Sequence, residues 1–233
     1  MAKPAIIPLF PLSHVLLPGM PLPLHIFEHR YRHLMADIAE RTNGITEPVF
    51  GVVALRTGME AENPGVVGRA AEDTDVEQIG TLAEILELDR KPDGTADLLS
   101  VGTRRFEIRE LLPTGAVYLR AEVEYLDEPD GELTRAQEDR ARELMDVYDS
   151  YLVRLAGRGT GSELPNDANR LAYQLAARLP LPPEEKQALL CDATTSDRLV
   201  RVARLLRREI ALLQWTRSIA VSPAVLRMGT GSN

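Results

Sequence analysis

The order of apolar and polar residues predicts a chain that is extended in its first half and helical in its second. Proline recurs among apolar residues from Pro4 to Pro23. Each proline fixes φ and removes a backbone donor, so this stretch is predicted to form two strands joined at LPGM. The next segment, EHRYRHLMADIAERTNG, has apolar residues at helical spacing and predicts an amphipathic helix: Tyr31, Leu34, Met35 and Ile38.

Turn-forming residues separate further strands up to about residue 126. The run VFGVVAL predicts a short buried strand, and an acidic loop follows from about residue 56 to residue 78. In the stretch from IGTLAEIL to AEVEYL, the segments KPDGT and LPTGA carry the Pro, Asp and Gly residues that hairpin turns favour. We therefore expect an antiparallel meander of about four strands, which together with the earlier strands can curl into a small barrel.

The composition changes at DEPDGEL, residues 127–133, which is acidic and turn-rich like a linker. Beyond it the pattern predicts four helices. Thr134 and Gln137 have the spacing of a capping box, a second helix spans about 165–179, LPLPP precedes a third, and Thr194 begins the fourth. The predicted fold class is α+β, with a first region at 1–126, the linker, a helical bundle at 134–226 and a flexible tail at 227–233.

Charge and cysteine content indicate a cytoplasmic protein. The single cysteine, Cys191, allows no internal disulfide and fits a reducing compartment. Residues Pro4 to Phe27 include no Asp, Glu, Lys or Arg. An uncharged stretch of this length raises the question of a membrane span or a signal peptide. The prolines in this stretch argue against a membrane helix, because each would cost roughly 3 kcal/mol in a helix interior.

The segment HIFEHRYRH contains the spacing H-x-x-E-H, at which some helices hold a zinc ion and a general base. Here His25 falls in a predicted strand and the helix begins at about Glu28, so His25 and His29 are expected to point apart. His33 follows His29 by one helical turn, yet Arg30 and Arg32 add positive charge nearby. We predict no metal and no cofactor, and a zinc-dependent hydrolase is kept as a remote alternative.

Other catalytic patterns are missing from the sequence. It has no G-x-x-x-x-G-K-[ST] phosphate loop, no G-x-S-x-G nucleophile elbow and no G-x-G-x-x-G between a strand and a helix. Cys191 follows QALL on an apolar helix face, where packing is the simpler interpretation. The chain is therefore predicted not to be an enzyme.

Nucleic-acid binding is the main alternative function, because small barrels often bind nucleic acid. Residues 1–133 carry 12 basic and 23 acidic side chains, a net charge of −11, which repels phosphate. Residues 134–233 carry 15 and 12, and arginines recur along the last predicted helix: Arg198, Arg201, Arg204, Arg207 and Arg208. Such a stripe is more often a solvated face or one that meets acidic residues of the same molecule.

Several segments together resemble one known family. The blocks PLFPLSHVLLPGMPLPLHIFEHRYRHLM, IGTLAEIL, RRFEI and YLRAEVEYL, in this order, are similar to the N-terminal substrate-binding domain of Lon proteases, and LPLPPEEKQALLCDATTSDRLVRVARLL is similar to its helical part. The resemblance implies a PUA-like antiparallel pseudo-barrel with one internal helix at 1–126, followed by a helical bundle. It departs at His29, where the family commonly has Pro, which weakens the zinc hypothesis further. The phosphate loop and the Ser-Lys dyad domain of Lon are not found in this sequence.

The resemblance implies a non-catalytic polypeptide-recognition module, with an adaptor or regulator role in protein quality control. The expected partner is a protein or an unfolded polypeptide, without nucleic acid or membrane, and the expected state is a monomer or a weak dimer. Candidate polypeptide-binding residues are Met20, Phe27, Tyr31, Met59 and Phe106. Glu28, Arg104 and Arg105 are candidate structural polar residues, with the hypothesis that Glu28 pairs with one of the arginines.

Overall fold

The computed structural model describes residues 4–40, 48–56, 75–112, 117–157, 159–161 and 163–216. The chain forms two compact units, Met1–Asp127 and Glu128–Asn233. Within the described ranges, the first unit contains six strands and one helix and the second contains four helices. The predicted α+β class is confirmed. No helix in these ranges is both long and apolar enough to cross a membrane.

The first unit is a small barrel with an extra strand. Its elements are β1 (Ala5–Leu12), β2 (Pro21–Ile26), α1 (His29–Glu40), β3 (Val49–Ala54), β4 (Ile79–Arg90), β5 (Ala96–Leu112) and β6 (Arg120–Tyr125). The strand order is β2-β5-β4-β3-β1-β6, and β6 also pairs with β5. The five strands other than β2 therefore form a closed ring, and β2 extends the sheet from β5.

Two details of the predicted sheet are wrong. Residues 79–125 form three strands rather than four, because β5 continues for 17 residues and pairs with β2, β4 and β6 in turn. The pair β1–β3 is parallel. The chain builds β2 and α1 between these two strands and re-enters the sheet in the same direction, as a crossover requires.

The predicted turn at KPDGT is confirmed. Lys91 donates its backbone N–H to Thr95 across the turn at 2.8 Å, and Gly94 has a φ of 82°, which glycine adopts without steric cost. Thr95 donates its backbone N–H and its hydroxyl to the Asp93 carboxylate. The predicted turn at LPTGA and most of the acidic loop lie outside the described residues.

Two apolar clusters form the core of the first unit. One cluster joins α1 to β2 and β5, with Leu34, Met35, Leu22 and Leu98 among its buried members. The other surrounds Phe106 inside the barrel. Gly51 and Gly80 make room for the Phe106 ring, because a Cβ at either position would lie within 2.7 Å of its Cζ atom.

The second unit is a helical bundle of α2 (Arg135–Ala156), α3 (Ala168–Arg178), α4 (Pro183–Cys191) and α5 (Thr195–Thr216). The capping box at α2 is confirmed: the Thr134 side chain accepts from the Gln137 N–H, and the Gln137 side chain accepts from the Thr134 N–H. Pro183 opens α4, where its missing N–H has no helical partner to lose.

Residues 128–131, which the composition assigned to a linker, bind to α5 of the second unit. The N–H groups of Thr195 and Ser196, at the start of α5, donate to the carbonyls of Pro129 and Asp130 at 2.9 and 3.1 Å. These donors have no partner within a helix, so the acidic segment satisfies the first turn of α5.

The predicted arginine stripe is wrong at its first member. Arg198 is fully buried, and its Nη2 atom lies 3.2 Å from a carboxylate oxygen of Glu128. Arg201 and Arg208 are also paired, with Asp192 and with Glu185 and Glu209 respectively. Arg198 is therefore not part of an exposed phosphate-binding face on α5.

Candidate functional site

An exposed apolar surface lies on the outer face of β2, β5 and β4. The register places Pro21 beside Val101 on β5, and Pro23 beside Leu99. Leu86 of β4 joins them at a register shift between Ile85 and Glu87. We call Pro21, Pro23, Leu86, Leu99 and Val101 the apolar strip.

The strip results from the alternation of side chains along each strand. On β2, Leu22 and Ile26 point into the core, while Pro21 and Pro23 are exposed. On β5, Leu98 is buried and Leu99 is 37% exposed. Leu86 is 59% exposed, as alternation from the inward-packed Ile85 requires, and the bulge leaves the next residue, Glu87, exposed as well.

β2 ends the strand order, so one of its edges has no strand partner among the described residues. Pro21 and Pro23 lie on this edge strand and have no backbone N–H. An extended peptide that tried to add to this edge would find no donor at these two positions, which is how natural sheets protect their edges. The strip can therefore bind through side-chain contacts on its face more readily than by strand addition.

Acidic side chains border the strip. Glu87 lies opposite Leu99, and Glu84 lies opposite Val101, on neighbouring strands. Both are exposed, and neither forms an ion pair within the described part of the chain.

The next row across the three strands contains His25, Asp97 and Asp89. Asp97 binds Lys91 Nζ at 2.5 Å and His25 Nδ1 at 2.6 Å. The hydrogen bond from Lys91, followed by that from His25, holds the pKa of the Asp97 carboxyl below its ordinary value, and the same contact raises the pKa of Lys91. The negative charge of Asp97 is thus already matched, unlike that of the two glutamates.

The predicted polypeptide-binding residues fall into four groups. Phe27 is 57% exposed, and its ring lies 6.2 Å from that of His25, next to the strip. Met20 is half-buried and packs against the core cluster below α1. Met59 lies outside the described residues.

Tyr31 and Phe106 are in the core. Tyr31 stacks on Phe10 with ring centroids 3.8 Å apart, and burial raises the pKa of its hydroxyl to about 12. Phe106 is 0% exposed. The prediction that these two aromatic rings contact a polypeptide is corrected, because their surface is already covered by the protein itself.

The hypothesis that Glu28 pairs with Arg104 or Arg105 is wrong. Glu28 binds Arg30, two residues later, with its Oε2 atom 2.8 Å from Nη2. Arg105 is buried and donates from Nη2 to the carbonyl of Asp127 at 3.1 Å. Arg105 is thus a structural residue that fastens the end of the first unit.

Arg104 is also engaged locally. Its guanidinium carbon lies 4.8 Å from the centre of the Tyr125 ring, within the range of a cation–π contact. Arg104 points outward from β5, next to the inward-pointing Arg105. The pair therefore shows strand alternation rather than a joint binding site.

The histidines follow the predicted strand-to-helix boundary. His25 lies in β2, and α1 begins at His29. His33 and His29 approach each other on α1, with their Nε2 atoms 3.2 Å apart. No group of three or more His, Cys, Asp or Glu side chains in the described ranges is arranged to hold a metal ion.

A concave surface lies in the helical unit, between α2 and α5. It has a volume of about 620 Å³ and an apolar floor that includes Leu144 and Ile210. Arg140 and Glu143 at its rim pair with each other along α2. Ligand pockets have polar groups that converge on an apolar cavity. Because Arg140 and Glu143 pair with each other instead, we interpret this groove as a gap between packed helices.

No residue of the strip was predicted to bind polypeptide. Pro21, Pro23, Leu86 and Leu99 were assigned to strands without a functional role. Apolar residues at outward positions of a strand are the signal that could have identified them, but that signal needs the register of the strands. At the bulge Leu86 and the next residue, Glu87, are both exposed, so alternation alone does not show which residues of β4 share a face.

Comparison with known proteins identifies the family. The family model for the substrate-binding domain of ATP-dependent protease La (LON) matches residues 6–208. The chain belongs to the LON substrate-binding domain family. The expected resemblance is thereby confirmed.

Two curated relatives of this chain are Lon proteases. The chain is 28% identical over 214 residues to the Lon protease of Erwinia amylovora, covering 89% of this chain and 25% of that protein. It is 30% identical over 211 residues to Lon protease 2 of Syntrophobacter fumaroxidans, covering 88% and 24% respectively. The chain thus spans about a quarter of the length of these curated relatives.

Solved structures agree with the fold. A Lon N-terminal domain protein from Xanthomonas campestris superposes with a TM-score of 0.60 at 25% identity, covering 91% of this chain and 98% of that chain. The N-terminal domain of Mycobacterium avium complex Lon protease gives a TM-score of 0.56 at 18% identity, covering 87% and 98%. The second likeness concerns the fold alone.

Proposed function

We propose that this chain is a non-catalytic module that binds unfolded polypeptide on the apolar strip of its first unit. The observation that carries the proposal is the strip itself, in which Leu86 and Leu99 are exposed beside two prolines. Water-exposed apolar side chains that adjoin one another gain free energy when a partner covers them. Membership of a substrate-binding family supports polypeptide as that partner.

The strip suits an extended segment of varied sequence. Its side chains come from three strands fixed by the barrel, so little conformational entropy is lost by the protein when a ligand binds. The contacts are apolar and non-directional, and they do not require one particular sequence. This combination favours recognition of exposed apolar segments, which folded proteins bury.

The finer role that we propose is that of an adaptor or regulator in protein quality control. A module that holds polypeptide without acting on it needs a second component to act on what it holds. Adding the purified chain to a degradation or refolding assay with an ATP-dependent protease or a chaperone from the same cell should change the rate for unfolded, but not for folded, clients.

The binding site can be tested with a permanently unfolded probe such as reduced, carboxymethylated lysozyme. Fully burying a leucine contributes roughly 1.5–3 kcal/mol, so the double variant Leu86→Ser, Leu99→Ser should bind at least about tenfold more weakly. Fluorescence anisotropy of the labelled probe measures this affinity, and thermal unfolding establishes that the double variant is folded.

Trp215→Ser is the matched control, because Trp215 is 88% exposed and lies in the second unit. If binding followed exposed apolar area in general, this variant would be affected most. We expect its affinity to equal that of the parent. A loss with Trp215→Ser and none with the leucine variant would show that the strip is not the binding surface.

A further inference from the structure

We propose that the apolar strip selects segments in which Lys or Arg adjoins the apolar residues, and disfavours segments with Asp or Glu there. The inference rests on the proposed function, since it names the class of polypeptide that the same surface prefers. It depends on the placement of Glu84 and Glu87.

The two carboxylates lie directly beside the apolar side chains that a ligand would cover. Glu87 is the cross-strand neighbour of Leu99, and Glu84 is that of Val101. Cross-strand neighbours have Cβ atoms about 4.5–5.5 Å apart. A ligand residue that covers Leu99 therefore has its own neighbours within reach of a carboxylate.

No basic side chain of the described ranges neutralises these two glutamates. Lys91, which directly follows β4, is bound to Asp97. Arg90 donates to the Met35 carbonyl on α1, which covers the opposite face of the sheet. The charge of Glu84 and Glu87 is thus available to a ligand.

Binding strengthens the effect of these charges. A polypeptide lying on the strip removes water from beside the carboxylates, and charge interactions grow as the surrounding dielectric constant falls. A cation brought there completes an ion pair, whereas an anion is placed against two like charges. Specificity of this kind comes as much from rejecting the wrong ligand as from attracting the right one.

The experiment compares two labelled peptides with the same length and the same apolar residues, flanked by Lys in one and by Glu in the other. With the parent chain, fluorescence anisotropy should give about tenfold tighter binding of the Lys-flanked peptide at low salt. The ratio should fall to about twofold near 0.5 M NaCl, because salt screens exposed charges.

Two double variants separate the local effect from the overall negative charge of the unit. Glu84→Gln, Glu87→Gln removes the two carboxylates at the strip. Glu110→Gln, Glu122→Gln removes the same charge from a cross-strand pair farther along β5. We expect the first variant to bind the two peptides about equally, and the second to keep most of the preference.

The outcomes distinguish this inference from the proposed function. If the parent binds both peptides equally, or if both double variants lose the preference alike, the selection by Glu84 and Glu87 is refuted while polypeptide binding stands. If neither peptide binds, or if Leu86→Ser, Leu99→Ser leaves both affinities unchanged, both proposals fail. The salt series on the parent chain needs no variant and gives an independent measurement.

Discussion

Arg198 shows how one side chain can organise the helical unit. Its guanidinium donates to the Asn169 side chain at 2.8 Å and to two backbone carbonyls, pairs with Glu128, and lies 4.2 Å from the centre of the Tyr173 ring. A buried charge is tolerated when such partners surround it. Arg198 thereby joins α3, α4, α5 and the segment at residue 128.

Arg198→Met should destabilise the second unit by about 3–5 kcal/mol, since it leaves Glu128 and several acceptors without their buried cation. Urea unfolding followed by circular dichroism measures the loss. Arg204→Met is the matched control, because Arg204 is exposed on the same helix and should change stability by less than about 0.5 kcal/mol. Equal stability of the two variants would contradict the structural role of Arg198.

Spacing could not have separated Arg198 from the other arginines of α5. They recur at three-residue intervals, and this periodicity describes a helix face without saying which part of it is covered. The burial of Arg198 depends on Glu128 and Tyr173, which are distant in sequence. The same limit explains why the sequence predicted Tyr31 and Phe106 as polypeptide contacts, since an aromatic residue suits a core and a binding surface equally well.

At the scale of elements, Arg208 on α5 binds Glu185 on α4 through both carboxylate oxygens. The hydrogen bond from Arg208 lowers the pKa of Glu185 below its ordinary 4.5. A carboxyl group with a lowered pKa in the folded state stabilises that state above its ordinary pKa. This contribution is lost as the pH falls through the folded-state pKa.

We therefore expect Glu185→Gln to be less stable than the parent at about pH 7, and the difference to shrink at about pH 3. Urea unfolding of both chains at the two pH values measures it. Glu184→Gln, the exposed neighbour in the first turn of α4, serves as control for general charge effects. A parent–variant difference that is the same at both pH values would show that the pair does not contribute as described.

The sequence specifies most elements but not their partners. Proline spacing gives β1 and β2, helical spacing gives α1, and the capping box marks the start of α2. The parallel pairing of β1 with β3 is not local, because it depends on where the chain returns after α1. The strip depends in the same way on which residues lie side by side across β2, β5 and β4, and the bulge at Leu86 alters that register.

At the scale of the whole molecule, each unit has its own buried core. The first unit contains both the closed ring of strands and the apolar strip, and its two apolar clusters draw only on residues up to Tyr125. Two hydrogen bonds at Arg105 hold the end of this unit: the Arg105 side chain donates to the Asp127 carbonyl, and the Arg105 carbonyl accepts from the Leu126 N–H. A fragment that ends at Asp127 keeps all of these contacts.

We expect residues 1–127 alone to unfold cooperatively and to bind the unfolded probe with the affinity of the full chain. Circular dichroism during urea unfolding tests the first expectation, and fluorescence anisotropy tests the second. The fragment 1–125 should be less stable by about 1–3 kcal/mol, because it removes an acceptor from the buried Arg105 guanidinium. A fragment 1–127 that folds without binding would move the polypeptide site away from the strip, whereas equal stability of the two fragments would show that Arg105 does not fasten the end of the unit.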